Sequence, residues 1–312
     1  MEYFIKKFVT LIITLLIVSI LAFLAFQVIS DPASSILGTQ ATPEKLAELR
    51  HELGLDRSLS VQYFSWLKGF VTGDWGTSYS YSLPVRTLIA EKLPVTFGIT
   101  IISFILMLIM AFPIAIFTSW HAYSRIDKTI TVINQVAMSV PAFLLGVGIT
   151  YLFGIVLRVF TPGEIVSFSE KPGKWLFTLL FPALAIAVPR TAMTVKMLRA
   201  SIIGQIDKDY VRTSYSHGAD NKYVLKTHIL RNAVIPVISF IASCMAEIVA
   251  NCILVEQVFA LPGIGVLLLN GIGNRDVPVV QALVMLLAVW VIVVIFIADL
   301  LYQLVDPRIR LS

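Results

Sequence analysis

Residues 8–30 read FVTLIITLLIVSILAFLAFQVIS, a run of 23 residues without a charged side chain. A helix of about 20 such residues crosses the hydrocarbon core of a bilayer, which is about 30 Å thick. The rest of the chain has the same character: 57% of its 312 residues are apolar, 14% are charged and the mean hydropathy is +0.86. Soluble domains carry about 25% charged residues, so the composition excludes an ordinary cytosolic enzyme and predicts a membrane protein.

Five further apolar windows follow the first one. Two of them hold a single charged residue each, Arg190 and Glu247. The windows are residues 93–124, 129–157, 175–195, about 232–255 and 277–298. We therefore predict an all-α polytopic membrane protein with six transmembrane helices. The first window is too long for the h-region of a signal peptide, which has about 7–15 residues, and it is predicted to be a retained helix.

The charges of the connecting loops predict the orientation. An even number of spans places both termini on one side, where the loops hold 13 Lys and Arg against 6 acidic residues. The loops of the other side hold 10 basic and 10 acidic residues. Cytoplasmic loops are enriched in Lys and Arg, so both termini are predicted to be cytoplasmic. This asymmetry explains the net charge of +5 without a nucleic-acid partner.

A long insert, residues 31–92, separates the first two windows and is predicted to be extracytoplasmic. Thr42-Pro43-Glu44 is a typical helix start and Gly54 a typical end. A second amphipathic stretch carries four apolar residues on one predicted face, Val61, Phe64, Leu67 and Phe70. We expect two short helices at the membrane interface. They form either a lid on their own bundle or a docking surface for an external partner, and these residues favour neither.

One charged interval, residues 196–231, interrupts the otherwise apolar second half. Its pattern predicts a helix over 209–217, a left-handed residue at Gly218 and a second helix over 222–232. A short helix between two spans can enter a groove on a soluble partner and transmit motion as a rigid body. A solvated loop that only follows the positive-inside rule is the alternative, and both stay open at this point.

The fifth window has a polar side chain at every fourth position, Ser239, Ser243, Glu247 and Asn251. This spacing forms one slanting stripe on a helix. Since ionisable groups in the bilayer usually face water or the bundle interior, Ser243, Glu247 and Asn251 are candidates for a translocation path. Hydrogen bonds to Asn134 and Gln135 of the third window are the alternative. Arg190 is interpreted as a structural residue whose side chain extends toward the cytoplasmic face.

Motifs spread over nearly the whole chain resemble one family. They are LGLD at 53–56, QY at 62–63, WL at 66–67, GDWGTS at 73–78, PV at 84–85, DYVRT at 209–213, Gly218, HILRNA at 228–233, Pro236, Glu256, Phe259, PGIG at 262–265, NRD at 274–276, PV at 278–279 and DPRIR at 306–310. Their order and spacing are similar to those of the inner-membrane permease subunits of binding-protein-dependent ABC importers, in the oligopeptide, dipeptide and nickel branch.

The resemblance implies a role for the charged loop in coupling to an ATPase. The implied coupling residues are Arg212, Thr213, Ser214, Gly218, Lys222, His228 and Leu230. The wider importer family carries Glu-Ala-Ala where this chain has residues 212–214, and Ile and Pro where it has His228 and Arg231. The peptide and nickel branch shares these departures. His217 and His228 are interpreted as surface histidines rather than metal ligands.

The resemblance also implies the partners and the membrane. They are a second homologous permease subunit, two ATP-binding-cassette ATPase subunits, which bind ATP and Mg²⁺, and an extracytoplasmic solute-binding protein, in a bacterial cytoplasmic membrane. The chain itself has no Gly-x-x-x-x-Gly-Lys-Ser/Thr loop to hold nucleotide phosphates. The implied organisation is 1–30 for the N-terminus and first helix, 31–93 for the insert and 94–312 for the transporter domain, which includes the coupling loop at 196–231.

Short peptides are the expected cargo, and nickel or a nickel chelate is the alternative. No cofactor or metal site is expected in this chain, since two cysteines, Cys244 and Cys252, are too few for a Cys-rich centre. An intramembrane enzyme is disfavoured because the windows lack a Gly-x-Ser-x-Gly elbow and a His–carboxylate pair at ligand spacing. An autonomous ion-coupled carrier, using Glu247 and Asp299, is the more remote alternative.

Overall fold

The computed structural model describes residues 2–29, 37, 42–52 and 54–305. Within these residues the regular structure is helical, apart from one isolated β-bridge between Thr77 and Pro84. The predicted all-α class is therefore confirmed. The predicted tail motif at 306–310 and the beginning of the insert at 31–36 lie outside the described residues.

Twelve described helices follow one another along the chain. They are α1 (Glu2–Ile29), α2 (Pro43–Glu52), α3 (Leu59–Thr72), α4 (Val85–Trp120), α5 (Arg125–Ser139), α6 (Ala142–Ile149), α7 (Pro172–Ile206), α8 (Asp209–Ser216), α9 (Asn221–Val224), α10 (Leu230–Val258), α11 (Ile264–Gly273) and α12 (Val277–Val305). A π-helical segment, Thr150–Val156, continues α6, and another, Leu225–Ile229, joins α9 to α10. Among the described residues, five continuous helices are long and apolar enough to cross a membrane.

The third predicted span is not one straight helix. Helices α5 and α6 meet at Pro141 with a bend of 97°. Val140, the residue before the proline, is extended with φ −89° and ψ 120°, as expected because the proline ring disfavours helical backbone at that position. The predicted number of six spans is reached only if this bent pair crosses the membrane as one span.

The structure divides into two compact units, and the first comprises Met1–Thr96 and Pro262–Val293. In it, α1 packs against α3 through aromatic rings. Phe23 lies 5.6 Å from Tyr63 and 5.8 Å from Trp66, between ring centroids, and the Ser19 hydroxyl is 2.7 Å from the Tyr63 hydroxyl.

The face of α3 that packs differs from the predicted one. Of the four predicted residues, Leu67 and Phe70 are partly buried but Val61 and Phe64 are exposed, and Tyr63 and Trp66 are partly buried instead. The sequence spacing suggested a face defined by aliphatic and Phe side chains, but the larger aromatic side chains cover more apolar area against α1. The two predicted short helices are nevertheless present as α2 and α3, and α2 begins at Pro43 as expected.

The second unit comprises Phe97–Leu261 and Val294–Ser312, and α7 is its most extensively buried helix. Two prolines, Pro182 and Pro189, lie inside α7. Helices α5, α6 and α10 pack around it. A Cβ atom at Gly98 of α4 would overlap the Trp175 indole, so the glycine lets α4 approach α7 closely.

A group of buried apolar residues, here called the base cluster, connects the charged loop to the helices of the second unit. Its members come from α4, from α7, from the loop between α7 and α10, and from α10 itself. They are Ala111, Ala115, Val195, Leu198, Ile202, Val211, Val224, Ile229, Ala233 and Val237. Because interiors are close-packed and resist deformation, α8 and α9 are fixed to the ends of the long helices.

An ion pair joins the beginning of α5 to α7 in the same unit. The Arg199 Nε and Nη2 atoms donate to the two Asp127 carboxylate oxygens at 2.9 and 2.6 Å. The backbone N–H of Tyr123 donates to the same carboxylate at 2.8 Å. Only 4% of the Asp127 side chain is exposed, so the pair is a buried, bidentate joint between two helices.

Candidate functional site

The charged loop folds as a helix, a left-handed glycine and a second helix, which confirms the predicted local structure. Helix α8 ends at Ser216, and Gly218 follows with φ +81°. The Gly218 N–H donates to the Tyr215 carbonyl at 2.9 Å. Asp220 then caps α9 by accepting a hydrogen bond from the Tyr223 N–H at 2.9 Å. These capping contacts satisfy backbone groups at both sides of the turn.

The predicted coupling residues differ in exposure, and one of them, Leu230, packs against the base cluster. Arg212, Thr213, Gly218 and Lys222 are exposed. Ser214, His228 and Leu230 are half-buried. Val211, Val224 and Ile229 of the same loop are buried and belong to the base cluster. The loop therefore has an apolar side that packs on the helices and a polar side that faces water. The packed side makes the loop rigid, and the polar side is available for contact with a partner.

A shallow groove of about 710 Å³ opens on the outer side of the loop. It brings together four of the predicted residues, Thr213, Ser214, Gly218 and His228, but not Arg212, Lys222 or Leu230. The other lining residues are Tyr210, His217, Ala219, Asp220 and Tyr223. The Tyr223 and His228 rings are in edge contact, 5.7 Å apart. Among the described residues, no group of three or more His, Cys, Asp or Glu side chains could hold a metal ion.

The polar stripe of α10, residues 239, 243, 247 and 251, lies on the open side of that helix. Ser239, Ser243 and Glu247 are exposed, and Asn251 is half-buried. Ser243 Oγ donates to the Ser239 carbonyl at 3.0 Å, and Asn251 Nδ2 to the Glu247 carbonyl at 2.8 Å. These hydrogen bonds stay within α10 and do not reach the third window, where the alternative interpretation placed the partners.

Glu247 forms an ion pair with Arg190 of α7. The Arg190 side chain is 17% exposed and that of Glu247 is 54% exposed. The guanidinium also lies 3.8 Å from the Met193 sulfur. The sequence interpretation of Arg190 as a side chain extending toward the cytoplasmic face missed this partner. The sequence did contain a signal for the pair, because each of two predicted spans held a single charged residue and the two charges had opposite signs.

The first unit contains a second long-range polar contact that the sequence motifs did not reveal. The buried Asp276 carboxylate, between α11 and α12, accepts a hydrogen bond from the Ser78 hydroxyl at 2.5 Å. It also accepts from the backbone N–H groups of Tyr79 and Ser80 at 3.1 and 3.2 Å. Burial, together with the nearby Asp276 charge, raises the pKa of the Tyr79 hydroxyl to about 12. The motifs at 73–78 and 274–276 are therefore two halves of one clamp.

Both cysteines are free and buried. The Cys252 sulfur lies 3.5 Å from the Thr100 hydroxyl. Buried free cysteines of this kind pack as small apolar side chains.

Comparisons with known proteins match the chain from end to end. Residues 111–311 match the family described as the inner membrane component of binding-protein-dependent transport systems. Residues 1–100 match the family described as the N-terminal part of the membrane component of such systems. The two matches together cover both units of the structure.

Individual relatives are similar over nearly their whole lengths. A protein of Sinorhizobium fredii, named as a probable peptide ABC transporter permease, is 30% identical over 309 residues, 99% of each chain. The dipeptide transport system permease protein DppB of Lactococcus lactis and the oligopeptide transport system permease protein AppB of Bacillus subtilis are each 30% identical, again over 99% of both chains. The chain therefore belongs to the family of inner-membrane components of binding-protein-dependent transport systems, and it is a multi-pass protein of the bacterial inner membrane.

Proposed function

We propose that this chain forms half of the translocation pathway of an ATP-driven importer of short peptides. Its partners in the proposal are a second homologous permease subunit, two ATPase subunits that bind ATP and Mg²⁺, and an extracytoplasmic binding protein that delivers the peptide. The termini and the loop at 196–231 face the cytoplasm, and the insert at 31–92 faces outward. The end-to-end similarity to proteins named as peptide permeases carries this proposal.

The build of the charged loop supports a coupling role. An ATPase subunit would bind the exposed residues of α8, among them Arg212 and Thr213. The opposite side of α8 is fixed to the base cluster by Val211, so a movement of the ATPase would displace the helix and the cluster together. Close-packed groups move together rather than deform. Displacement of the loop would therefore tilt α4, α7 and α10 as one body.

The polar stripe supports a water-filled path beside α10. Placing a charged side chain against lipid costs about 2.5–3.5 kcal/mol on insertion scales. The Glu247 carboxylate is more than half exposed in the single chain, so it belongs on a side covered by water or by the second permease. Ser243 and Asn251, one turn to either side, extend the same surface.

Isolation of the complex tests this proposal. The tagged chain is extracted from its native membrane in mild detergent, and its stoichiometric partners are identified by mass spectrometry. We expect two ATPase chains and a second permease. The accompanying binding protein is then titrated with di- to pentapeptides and with Ni²⁺, which is the alternative cargo. Recovery of the chain alone or as a homo-oligomer, under conditions that preserve a control importer, would contradict the proposal and favour an autonomous ion-coupled carrier.

A further inference from the structure

The ion pair between Arg190 and Glu247 lies deep within the membrane-spanning helices. Arg190 is the nineteenth of 35 residues in α7, and Glu247 the eighteenth of 29 in α10. At 1.5 Å per residue, each group is about 16 Å or more from either end of its helix. Arg190 is five residues from the nearer end of the predicted window 175–195, and Glu247 is eight residues from that of 232–255. Both charges therefore lie inside predicted spans, where ionisable groups usually face water or the bundle interior.

The two partners differ in accessibility. Arg190 is mostly covered, whereas more than half of the Glu247 side chain is open, on the same side of α10 as Ser239 and Ser243. The carboxylate can therefore rotate away into the open space, while the guanidinium stays in place. A solute that approaches along the stripe meets an anionic group first and a cationic group directly behind it.

This pair is more open than the other ion pair of α7, since the Glu247 side chain is 54% exposed and that of Asp127 is 4% exposed. Arg199 donates two hydrogen bonds to Asp127, and the Tyr123 N–H donates a third to the same carboxylate. Glu247 forms its ion pair with Arg190 while more than half of its side chain stays exposed. Its neighbours Ser243 and Asn251 direct their side-chain hydrogen bonds to the backbone of α10 and leave the carboxylate free to exchange partners.

We infer that Arg190 and Glu247 are a binding subsite for zwitterionic cargo, in which Glu247 takes the α-ammonium group of a peptide and Arg190 takes its α-carboxylate. This inference rests on the proposed function, because it names the chemical group by which the path recognises a peptide. The opened ion pair and the two peptide termini form two new pairs, so the site is neutral before and after binding. A single cation would occupy Glu247 and leave the mostly covered Arg190 guanidinium without a counter-ion.

The distances suit a short peptide. The termini of an extended dipeptide are about 7 Å apart, and each added residue contributes about 3.5 Å. The open Glu247 carboxylate needs to swing away from Arg190 by a distance of this order, which a side chain with three rotatable bonds can do. A free amino acid holds its two charges on one carbon atom and cannot separate the pair in this way.

The test uses the complete importer, reconstituted in proteoliposomes with its binding protein and a dialanine or trialanine substrate. We expect Glu247→Gln and Arg190→Met each to lower ATP-dependent peptide uptake about tenfold or more. Glu247→Gln removes the negative charge that faces the ammonium group, and Arg190→Met removes the charged hydrogen bond to the carboxylate. ATP hydrolysis stimulated by the loaded binding protein should stay within about twofold of the wild type, since these substitutions leave the coupling loop intact. Affinity of the binding protein for the peptide is measured separately and serves as the matched control.

The double variant Arg190→Met with Glu247→Gln distinguishes recognition from a structural ion pair. Removing both charges leaves neither group unpaired, and such replacements are often neutral for stability. If the pair is only structural, the double variant imports peptide at nearly the wild-type rate, and that result would overturn the inference. If the pair binds the termini, uptake stays low although the complex assembles normally.

A change of preference provides a second readout. In Arg190→Met the remaining Glu247 carboxylate matches a cation, so the ratio of uptake of a peptide amide to that of the free peptide should rise at least about fivefold. The amide is chosen among those that the binding protein still binds. An unchanged ratio would contradict the inference. Failure of the wild-type complex to import any peptide would instead refute the proposed function, so the two failures are distinguishable.

Discussion

Helix α7 carries two arginines nine residues apart whose ion pairs have opposite properties. Arg199 holds a buried carboxylate, Asp127, through two hydrogen bonds in a joint that also includes the Tyr123 backbone. Arg190 pairs with Glu247, whose side chain is 54% exposed. Arg199, near the charged loop, thus fixes α5 to α7. Arg190, beside the polar stripe of α10, instead holds a carboxylate that can change partners.

The difference between the two pairs shows that the second unit combines a tightly packed region near the charged loop with an open surface along α10. Near the charged loop, the base cluster and the Asp127 joint leave little freedom, which suits a region that transmits force. Along the stripe of α10, Ser243 and Asn251 bond to their own helix backbone and Glu247 is more than half exposed, which suits a surface that meets a passing solute. Substitutions at the Asp127–Arg199 joint should therefore lower the stability of the protein, and substitutions along the stripe of α10 should lower peptide uptake.

The largest effect on stability is expected at the joint. Asp127→Ala should lower the free energy of unfolding by about 3 kcal/mol, because the mostly covered Arg199 guanidinium loses its carboxylate. Unfolding in mixed detergent micelles, followed by circular dichroism, measures the change. The double variant Asp127→Ala with Arg199→Leu is the control and should recover most of the loss. If Asp127→Ala alone were as stable as the wild type, the claim that the Asp127–Arg199 pair is a structural joint would be contradicted.

The contact between residues 78–80 and Asp276 in the first unit tests whether a buried carboxylate can stabilise the fold without a cationic partner. Among the described residues Asp276 accepts only from neutral donors, Ser78 Oγ and two backbone N–H groups. Asp276→Asn should cost about 2 kcal/mol, since its NH₂ group would face one of those donors. Ser78→Ala, which removes a single donor, should cost about 1 kcal/mol. Equal losses in the two variants, in the same unfolding assay, would contradict the geometry.

A smaller effect is expected at the turn of the charged loop. Gly218 has φ +81°, and an added Cβ would meet no atom within 4 Å, so Gly218→Ala adds backbone strain alone, about 1 kcal/mol. We expect fewer peptides imported per ATP hydrolysed, because strain shifts the outer side of the loop while the base cluster stays packed. Gly218→Asn is the matched control, since Asn tolerates this backbone conformation better. Equal coupling ratios in wild type and Gly218→Ala would show that the turn does not matter.

The smallest stability effect is expected at the exposed pair. Glu247→Gln should change the free energy of unfolding by less than about 1 kcal/mol, because the amide oxygen still accepts from Arg190 and the lost charge was solvated. The same micelle assay as for Asp127→Ala measures it. A loss as large as that of Asp127→Ala would show that both arginines serve structural joints, and it would remove the distinction between the two pairs.

Much of the fold follows from local sequence signals. The apolar windows predicted the long helices because the absence of charge over about 20 residues is a local property. The helix, Gly218, helix pattern of the charged loop was also predictable, since capping acts over three or four residues. The bend between α5 and α6 had a visible signal in Pro141, but an unbroken apolar window favoured a straight span.

The pairing of distant side chains was not predictable from one sequence. Ser78 and Asp276 are 198 residues apart, and nothing in either motif specifies the other. Arg190 and Glu247 could have been matched as the lone charges of two windows, yet their contact depends on how α7 and α10 pack. On α3, the packed face was set by aromatic contacts with Phe23 of α1, which spacing within α3 alone does not reveal.

The most direct test of the central claim, ATP-driven peptide import through this chain, is uptake by the reconstituted complex. Proteoliposomes containing both permeases and both ATPases receive binding protein and radiolabelled tripeptide on one side and ATP with Mg²⁺ on the other, with a non-hydrolysable ATP analogue and an imposed proton or sodium gradient as separate arms. The predicted result is peptide accumulation with ATP and none with the analogue or with a gradient alone. Accumulation that follows an ion gradient without ATP would contradict the claim and identify an autonomous carrier.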